Sequence, residues 1–355
     1  MSEQKITIIG AGAVTSVGLS LAATMPAIRA EIDNFNDTSF IDGGNEDIIG
    51  AKITGFQKNS DDEIVGGSDT QYQWACLAMN EALSYINLAD HQEYCLMFIS
   101  PSEDQPNLID YDGLYNQMVE YSQTLIPEEH LYHIHLPLGE TASAAAMLKS
   151  QKWLYEQQAG EQISRAVILV GVDSWLNLKR IQCGLKNKRI LCDTQSEGFI
   201  PGEAASAIVL SNKENYSKYA ALSILSASIE HEDRSLISGR NSLADGLTNA
   251  TQNALRDSAI DAQDINLHLT DLGGEEYFFA ESMLAWARIL RVDMTGNYQK
   301  HYTSTYIGHC GAANGLFLLA YAWALQIRGA HPGTNTLIQL TSEDTQRAAI
   351  VAVTN

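Results

Sequence analysis

The chain has 355 residues, of which 45% are hydrophobic, and its 43 acidic and 22 basic side chains give a formal net charge of −21. This length can bury a large core, and it allows two domains or one fold made of two fused halves. The negative charge disfavours nucleic acid and anionic membranes as partners. A membrane-spanning helix needs a run of about eighteen or more apolar residues, and the sequence contains no such run. Residues 1–5 lead directly into an apolar strand without a signal-peptide pattern, which predicts a cytoplasmic location.

The cysteines favour neither a disulfide framework nor a zinc site, because they are five in number and lack Cys-x-x-Cys spacing. We expect no metal and no cofactor. The turn from Gly10 to Thr15 follows a first strand but has threonine where the third glycine of a dinucleotide-binding turn would stand, which disfavours a Rossmann site.

Strand-like and helix-like segments alternate along the chain, which predicts an α/β fold with mixed sheets. The predicted strands are 5–10, 94–99, 131–136, 165–171, 204–211, 221–229, 265–271 and 347–353. The predicted helices are 19–30, 68–87, 111–124, 141–158, 243–258, 275–290 and 311–328. Two polar zones, 32–66 and 100–110, are predicted to be excursions on the surface.

Each half of the chain contains a strand that leads into a helix of small residues, at 133–158 and at 303–328. A polar stretch, 211–220, lies between these two segments and separates the predicted strands 204–211 and 221–229. This arrangement predicts one duplicated fold, with halves 1–211 and 212–355 joined in a single globular unit.

Three segments, residues 9–18, 193–210 and 306–315, together resemble motifs of β-ketoacyl synthases, the condensing enzymes of the thiolase fold. Residues 9–18 are similar to that family's N-terminal strand and turn, and residues 306–315 are similar to its glycine-histidine turn. Residues 193–210 match its Asp-x-x-Arg-Asp-Gly-Phe segment at Asp193, Gly198, Phe199, Gly202 and Glu203. The resemblance implies a five-layer αβαβα architecture. In it, helices 141–158 and 311–328 lie back to back in the centre and are almost inaccessible to solvent.

The positions that would carry the chemistry are changed. Ser143 stands where the family has its nucleophilic cysteine, and a serine hydroxyl at a helix N-terminus stays protonated unless a base adjoins it. His309 retains one family histidine, while Asp271 stands at the place of the other and Ser304 at that of a lysine. An ionised Asp271 would repel the enolate that forms when a malonyl thioester loses carbon dioxide.

Further differences concern structure. Ser196 replaces the family's arginine, so Glu203 needs another partner if it is buried. No Gly-Phe-Gly-Gly pattern follows His309, and we expect the last hairpin to be shortened or missing. A basic cluster surrounds Cys183, and we interpret it as a solvated loop, with a docking patch for an acidic partner as the alternative. Its members are Lys179, Arg180, Lys186, Lys188 and Arg189.

Three functions are compatible with these changes. The favoured one is a ketosynthase-like protein that has lost condensation and serves in binding or assembly, because several groups that must act together are lost. The second is a serine acyltransferase or hydrolase in which Ser143 and His309 form a dyad oriented by Asp271. The third is an active 3-oxoacyl-carrier-protein synthase whose catalytic residues are misaligned here, with Cys310 or Cys192 as the nearest cysteines.

The resemblance also implies partners. Residues 131–136 alternate like an edge strand that needs cover. We therefore expect a homodimer, or a heterodimer with a ketosynthase-like partner, built on this strand, and an acyl carrier protein is a further candidate partner.

Overall fold

The computed structural model describes residues 5–55, 67–156, 163–212, 222–290, 293–294 and 296–354. Its strands are β1 (Ile6–Thr15), β2 (Phe35–Ile41), β3 (Asp47–Ala51), β4 (Glu93–Ser100), β5 (Leu131–Pro137), β6 (Arg165–Ser174), β7 (Glu203–Ser211), β8 (Leu222–His231), β9 (Leu267–Thr270), β10 (Gln299–Tyr302), β11 (Asn335–Thr341) and β12 (Gln346–Thr354). Its helices are α1 (Leu21–Arg29), α2 (Ser68–Leu83), α3 (Tyr111–Gln123), α4 (Ala142–Tyr155), α5 (Leu178–Lys186), α6 (Asp245–Ser258), α7 (Glu276–Ile289), α8 (Ser304–Ile307) and α9 (Asn314–Ile327).

Ten of these strands form one sheet in the order β10-β9-β11-β12-β8-β1-β7-β6-β4-β5. The order contains the same pattern twice. In one half β1-β7-β6 is antiparallel and β6-β4-β5 is parallel; in the other, β8-β12-β11 is antiparallel and β11-β9-β10 is parallel. A short antiparallel pairing of β1 with β8 joins the two.

Apolar clusters show how the helices are layered. The largest cluster contains nearly all of α9 and the first part of α4, and it packs on residues from both halves of the sheet. A second cluster packs α2 and α3 on the opposite face of the first half. A third packs α6 on the second half, with Trp286 of α7 against it. The α/β fold and the five-layer αβαβα arrangement expected from the sequence are therefore confirmed.

The predicted strands and helices are all present, with boundaries that differ by a few residues. The structure adds α5, α8, β10, β11 and a separate two-stranded sheet, in which β2 pairs with β3 inside the zone predicted as an excursion. The polar stretch 211–220 lies largely outside the described residues. The division at 211/212 remains a proposal, which the repeated strand order supports.

Two expectations need correction. The last hairpin is not missing, because β11 and β12 pair over Asn335–Thr341. Its turn has only four residues, 342–345, and the other alternative, a shortened hairpin, stays a prediction. The central helices also differ from each other in exposure. Residues 314–325 of α9 are buried, whereas α4 is buried in its first turns but exposes Leu148, Lys149 and Lys152. One side of α4 therefore faces solvent in the isolated chain.

Candidate active site

Ser143 lies in the first turn of α4, just after a short helical turn, Gly139–Thr141. Gly139 has φ +68°, a conformation that glycine adopts without the penalty of a Cβ, and it turns the chain sharply from β5 into the helix. Ser143 is 0% exposed, and its Oγ has no hydrogen-bond partner among the described residues. The hydroxyl faces α9: a Cβ on Gly315 would lie 2.0 Å from Ser143 Oγ.

His309 follows α8 and is packed among aromatic rings. Its imidazole centroid lies 4.7 Å from that of Phe199 and 5.6 Å from that of Trp175. Nδ1 lies 3.4 Å from the amide nitrogen of Asn314, while Nε2 has no partner in the described part of the chain. Burial, together with the nearby Arg189 and Arg180 guanidinium groups, holds the pKa of His309 well below its usual value, so the imidazole is neutral at pH 7.

Asp271 follows β9 and is bound by β11. Its Oδ2 accepts a hydrogen bond from the backbone N–H of Thr341 at 2.8 Å, and its Oδ1 accepts one from the Thr341 hydroxyl at 3.2 Å. Ser304, at the family's lysine position, donates to the Asp271 carbonyl at 3.2 Å. Burial raises the pKa of Asp271 to about 7, although the bonds from Thr341 oppose this shift.

The structure brings two of the three predicted site residues to one cavity. His309 and Asp271 both line a void of about 10 Å³, which is room for roughly one water molecule, and Ser143 is not among its lining residues. Ser143 Oγ and His309 Nε2 both lack partners in the described chain, so they do not bond each other. Asp271 binds Thr341 and does not orient the imidazole. The serine–histidine dyad is therefore not formed in this structure.

A buried ionic cluster lies next to His309. Arg189 donates to both carboxylate oxygens of Glu275, at 2.8 and 3.0 Å, and also binds Glu343 in the turn between β11 and β12. Its guanidinium carbon lies 5.1 Å from the centre of the Phe199 ring and 5.5 Å from that of Trp175. This arrangement places all three charged side chains of the cluster, Arg189, Glu275 and Glu343, in the lining of the His309 cavity.

A second buried cluster is centred on Arg180. Its guanidinium binds Asp173, donates to the side chain of Gln105 at 2.8 Å and stacks 4.0 Å from the Trp175 ring. Gln105 in turn donates to Glu140 at 3.0 Å. Asp173 also accepts from the backbone N–H of Ala312 at 2.9 Å, which ties this cluster to the turn before α9.

These two arginines correct the interpretation of the basic cluster around Cys183. The basic residues lie on helix α5 and in the turn directly after it. Arg180 and Arg189 are only 1% and 5% exposed, so they are neither solvated nor free for docking. The three lysines, Lys179, Lys186 and Lys188, are exposed. Sequence reasoning missed both arginines, because five basic residues within eleven positions resemble a surface segment. A usable signal for Arg180 is Asp173, a carboxylate seven positions before it at the end of an apolar strand, which requires a counter-ion when it is buried.

Other predictions about this region can be compared with the structure. Glu203 is buried and accepts hydrogen bonds from the N–H of Ile53 at 2.9 Å and from the hydroxyl of Ser174 at 2.9 Å. These neutral donors meet the expected need of Glu203 for another partner.

Cys310 is buried, its thiol donates to the Ile307 carbonyl at 3.3 Å, and burial raises its pKa well above the usual value. A thiolate is therefore disfavoured at Cys310.

Comparison with protein-family models and with curated proteins gives no match. Solved structures match along almost the whole chain. The oxazolomycin ketosynthase domain of Streptomyces albus JA3453 has a TM-score of 0.74 and 12% identity, covering 99% of this chain and 74% of that one. The ishigamide ketosynthase/chain length factor has a TM-score of 0.72 and 12% identity, covering 100% of both. This chain has the ketosynthase fold.

A third structure of the same fold is a type II polyketide synthase acyl-carrier protein in complex with its ketosynthase bound to the hexaketide. It has a TM-score of 0.76 and 12% identity and covers 98% of both chains. No helix in the described part of the present chain is long and apolar enough to cross a membrane.

Proposed function

We propose that this ketosynthase-like chain does not catalyse condensation and acts as a binding or assembly subunit. The observation that carries the proposal is the environment of Ser143, whose hydroxyl is wholly buried against Gly315 and has no base within hydrogen-bond reach among the described residues. A serine needs an adjacent base to become a nucleophile at neutral pH.

The electrostatics around His309 support the same proposal. A condensing site must stabilise a developing enolate with neutral or positive donors. Here Glu140, Glu275 and Glu343 line the same small cavity as His309, together with Asp271, which its raised pKa of about 7 leaves partly ionised. Arg189 is already committed to Glu275 and Glu343. The cavity of about 10 Å³ has room for a water molecule and none for an acyl chain.

The surface supports an assembly role. β5 is an edge strand of the ten-stranded sheet, and Tyr132 on β5 and Leu148 on the open side of α4 are 45% and 43% exposed. A second copy of the chain, or a ketosynthase-like partner, pairing along β5 would cover both. The similarity to a ketosynthase/chain length factor and to a ketosynthase in complex with an acyl-carrier protein makes a ketosynthase-like subunit and an acyl carrier protein the natural partners to test.

Carbon dioxide release from malonyl-coenzyme A and malonyl-carrier thioesters tests the loss of condensation. We expect release at the rate of the protein-free buffer, with an active ketosynthase run in parallel to show that the assay detects turnover. Release above this background that His309→Ala abolishes would overturn the proposal, because it would show that the imidazole still supports an enolate.

A further inference from the structure

A second cavity, far larger than the one at His309, lies beside strand β10 at the end of the sheet. Its volume is about 370 Å³, compared with about 10 Å³ at His309. Ligand pockets commonly have about 300 to 1,000 Å³. The β10 cavity is formed by the end of α1, strand β10, the α8 region and one residue of α9. None of these lining residues belongs to the Ser143, His309 and Asp271 positions.

Cationic and neutral hydrogen-bonding groups converge on the β10 cavity. Arg29, in the last turn of α1, has no salt bridge or side-chain hydrogen bond within the described ranges, in a protein with 21 more acidic than basic side chains. His301 bonds the Tyr321 hydroxyl through Nδ1 and the Gln299 side chain through Nε2, both at 3.2 Å. Lys300 also lines the cavity but adds no free cation to it, because its ammonium donates to Ser282 of α7 at 3.1 Å.

The charge of Arg29 reaches into the cavity. Burial lowers the pKa of His301, and the Arg29 guanidinium lowers it further. The same guanidinium opposes the rise in the pKa of Tyr321 that burial causes. Both effects indicate a positive potential from Arg29 at the part of the cavity lined by His301 and Tyr321. Glu31 supplies one carboxylate among the lining residues.

We propose that the β10 cavity binds a small organic oxyanion, a phosphate ester or a carboxylate, with Arg29 holding the anionic group and Tyr306 and Tyr321 flanking the rest of the ligand. A guanidinium has the fork of donors that matches two oxygens of a phosphate or carboxylate. Thr303 at the cavity offers a hydroxyl group to a polar ligand, whereas the Thr305 hydroxyl already donates to the Tyr302 carbonyl. Because the carboxylate of Glu31 repels additional negative charge, the β10 cavity disfavours ligands with several anionic groups.

The inference is independent of the proposed function. It predicts a ligand site between the end of α1 in the first half and β10, α8 and α9 in the second half, whatever the fate of acyl groups at Ser143. A result at the β10 cavity therefore leaves the condensation question open, and an acyl adduct at Ser143 would leave the β10 cavity unaffected.

Isothermal titration of the full-length protein with phenyl phosphate, benzoate and inorganic phosphate tests the proposal. We expect saturable one-site binding of phenyl phosphate or benzoate that is tighter than that of inorganic phosphate. Whichever of the two aromatic anions binds identifies the anionic group. Arg29→Gln should weaken this binding by about tenfold or more, because a charge-assisted bond is lost, and Arg29→Lys should restore part of it.

Arg240→Gln is the matched control, because Arg240 is exposed and does not line the cavity. It makes the same change in net charge and should leave affinity unchanged. Arg29 is also exposed, so its variants should fold, and circular dichroism checks this. Histidine carbon NMR gives a second readout, since a bound anion should raise the pKa of His301. Absence of saturable binding at about 10 mM, or equal loss in the Arg29 and Arg240 variants, would overturn the proposal.

Discussion

Ser143 and Gly315 meet where the two central helices begin, and the serine hydroxyl occupies the space that a side chain on Gly315 would need. A Cβ at position 315 would lie 2.0 Å from Ser143 Oγ and 2.8 Å from its Cβ. Close approach of α4 and α9 therefore depends on a glycine at 315. The same contact removes the hydroxyl from solvent.

Gly315→Ala should lower the free energy of unfolding by about 1–3 kcal/mol, because the methyl group overpacks this contact. Ser143→Gly in the same chain removes both clashing atoms, so the double variant should be more stable than the sum of the two single effects predicts. Urea unfolding of the four proteins measures this coupling. Gly43→Ala is the control, since nothing lies within 4 Å of a Cβ there, and additive effects at 143 and 315 would contradict the contact.

Arg189→Met should cost about 3–5 kcal/mol of folding stability, because it leaves the buried carboxylate of Glu275 and the partly exposed carboxylate of Glu343 without their cation. Arg256→Met is the matched control. Arg256 forms an exposed pair with Asp257, and its loss should change stability by less than about 1 kcal/mol. Equal effects of the two substitutions in chemical denaturation would show that the Arg189 cluster is solvated.

Asp271 should make the protein less stable as the pH rises. The pKa of Asp271 is about 7 in the folded protein and near 3.8 in a free side chain. Between about pH 4 and pH 7 the folded state therefore holds this proton and the unfolded state does not. The contribution of protonated Asp271 to the free energy of unfolding is therefore complete below about pH 4 and is lost as the pH rises through about 7. Asp271→Asn does not titrate, so its stability relative to wild type should increase from pH 5 to pH 7.5, by on the order of 2 kcal/mol.

Urea unfolding of wild type and Asp271→Asn at the two pH values checks this prediction. The comparison isolates Asp271, because the other carboxyls with raised pKa values, including those of Asp173, Glu281 and Glu343, are present in both proteins. A difference between the two proteins that is the same at both pH values would mean that Asp271 is ionised throughout.

The edge strand β5 should carry self-association. Tyr132→Lys combined with Leu148→Lys places two charges on the exposed apolar surface of β5 and α4 and should convert a dimer to a monomer at micromolar concentration. Met283→Lys is the control, because Met283 is 70% exposed but lies on α7, in the other half. Light scattering measures the masses; a wild-type monomer that captures no ketosynthase-like partner would refute the interface.

Much of the fold could be predicted from the sequence, because the pattern of apolar segments and the small residues before α4 and α9 are local signals. Motif order also predicted Ser143, Asp271 and His309 as site positions, of which Asp271 and His309 line one small cavity and Ser143 does not. Strand β11 and the hairpin at the C-terminus were missed, since they were judged by an absent glycine-phenylalanine motif and not by the alternation in Asn335–Thr341. A missing motif says little about whether two strands pair.

The ionic clusters could not be predicted, because the partners are far apart in sequence. Arg189 and Glu343 are separated by 154 positions. Arg180 pairs with Asp173 only seven positions away, but its bond to Gln105 spans 75 positions. No local pattern connects such residues. Their burial depends on how the turn at 342–345 and the segment around Gln105 fold over the site.

The central claim is that Ser143 does not accept acyl groups. Intact-mass spectrometry after incubation with acyl-coenzyme A and acyl-carrier thioesters tests it directly, with an active ketosynthase as the positive control. We predict no adduct on the wild-type protein. We also predict none on Ser143→Cys, because the thiol would be buried against Gly315 beside a site that lacks its second histidine. A stoichiometric adduct mapped to Ser143 of the wild-type chain would contradict the account and establish a serine acyltransferase.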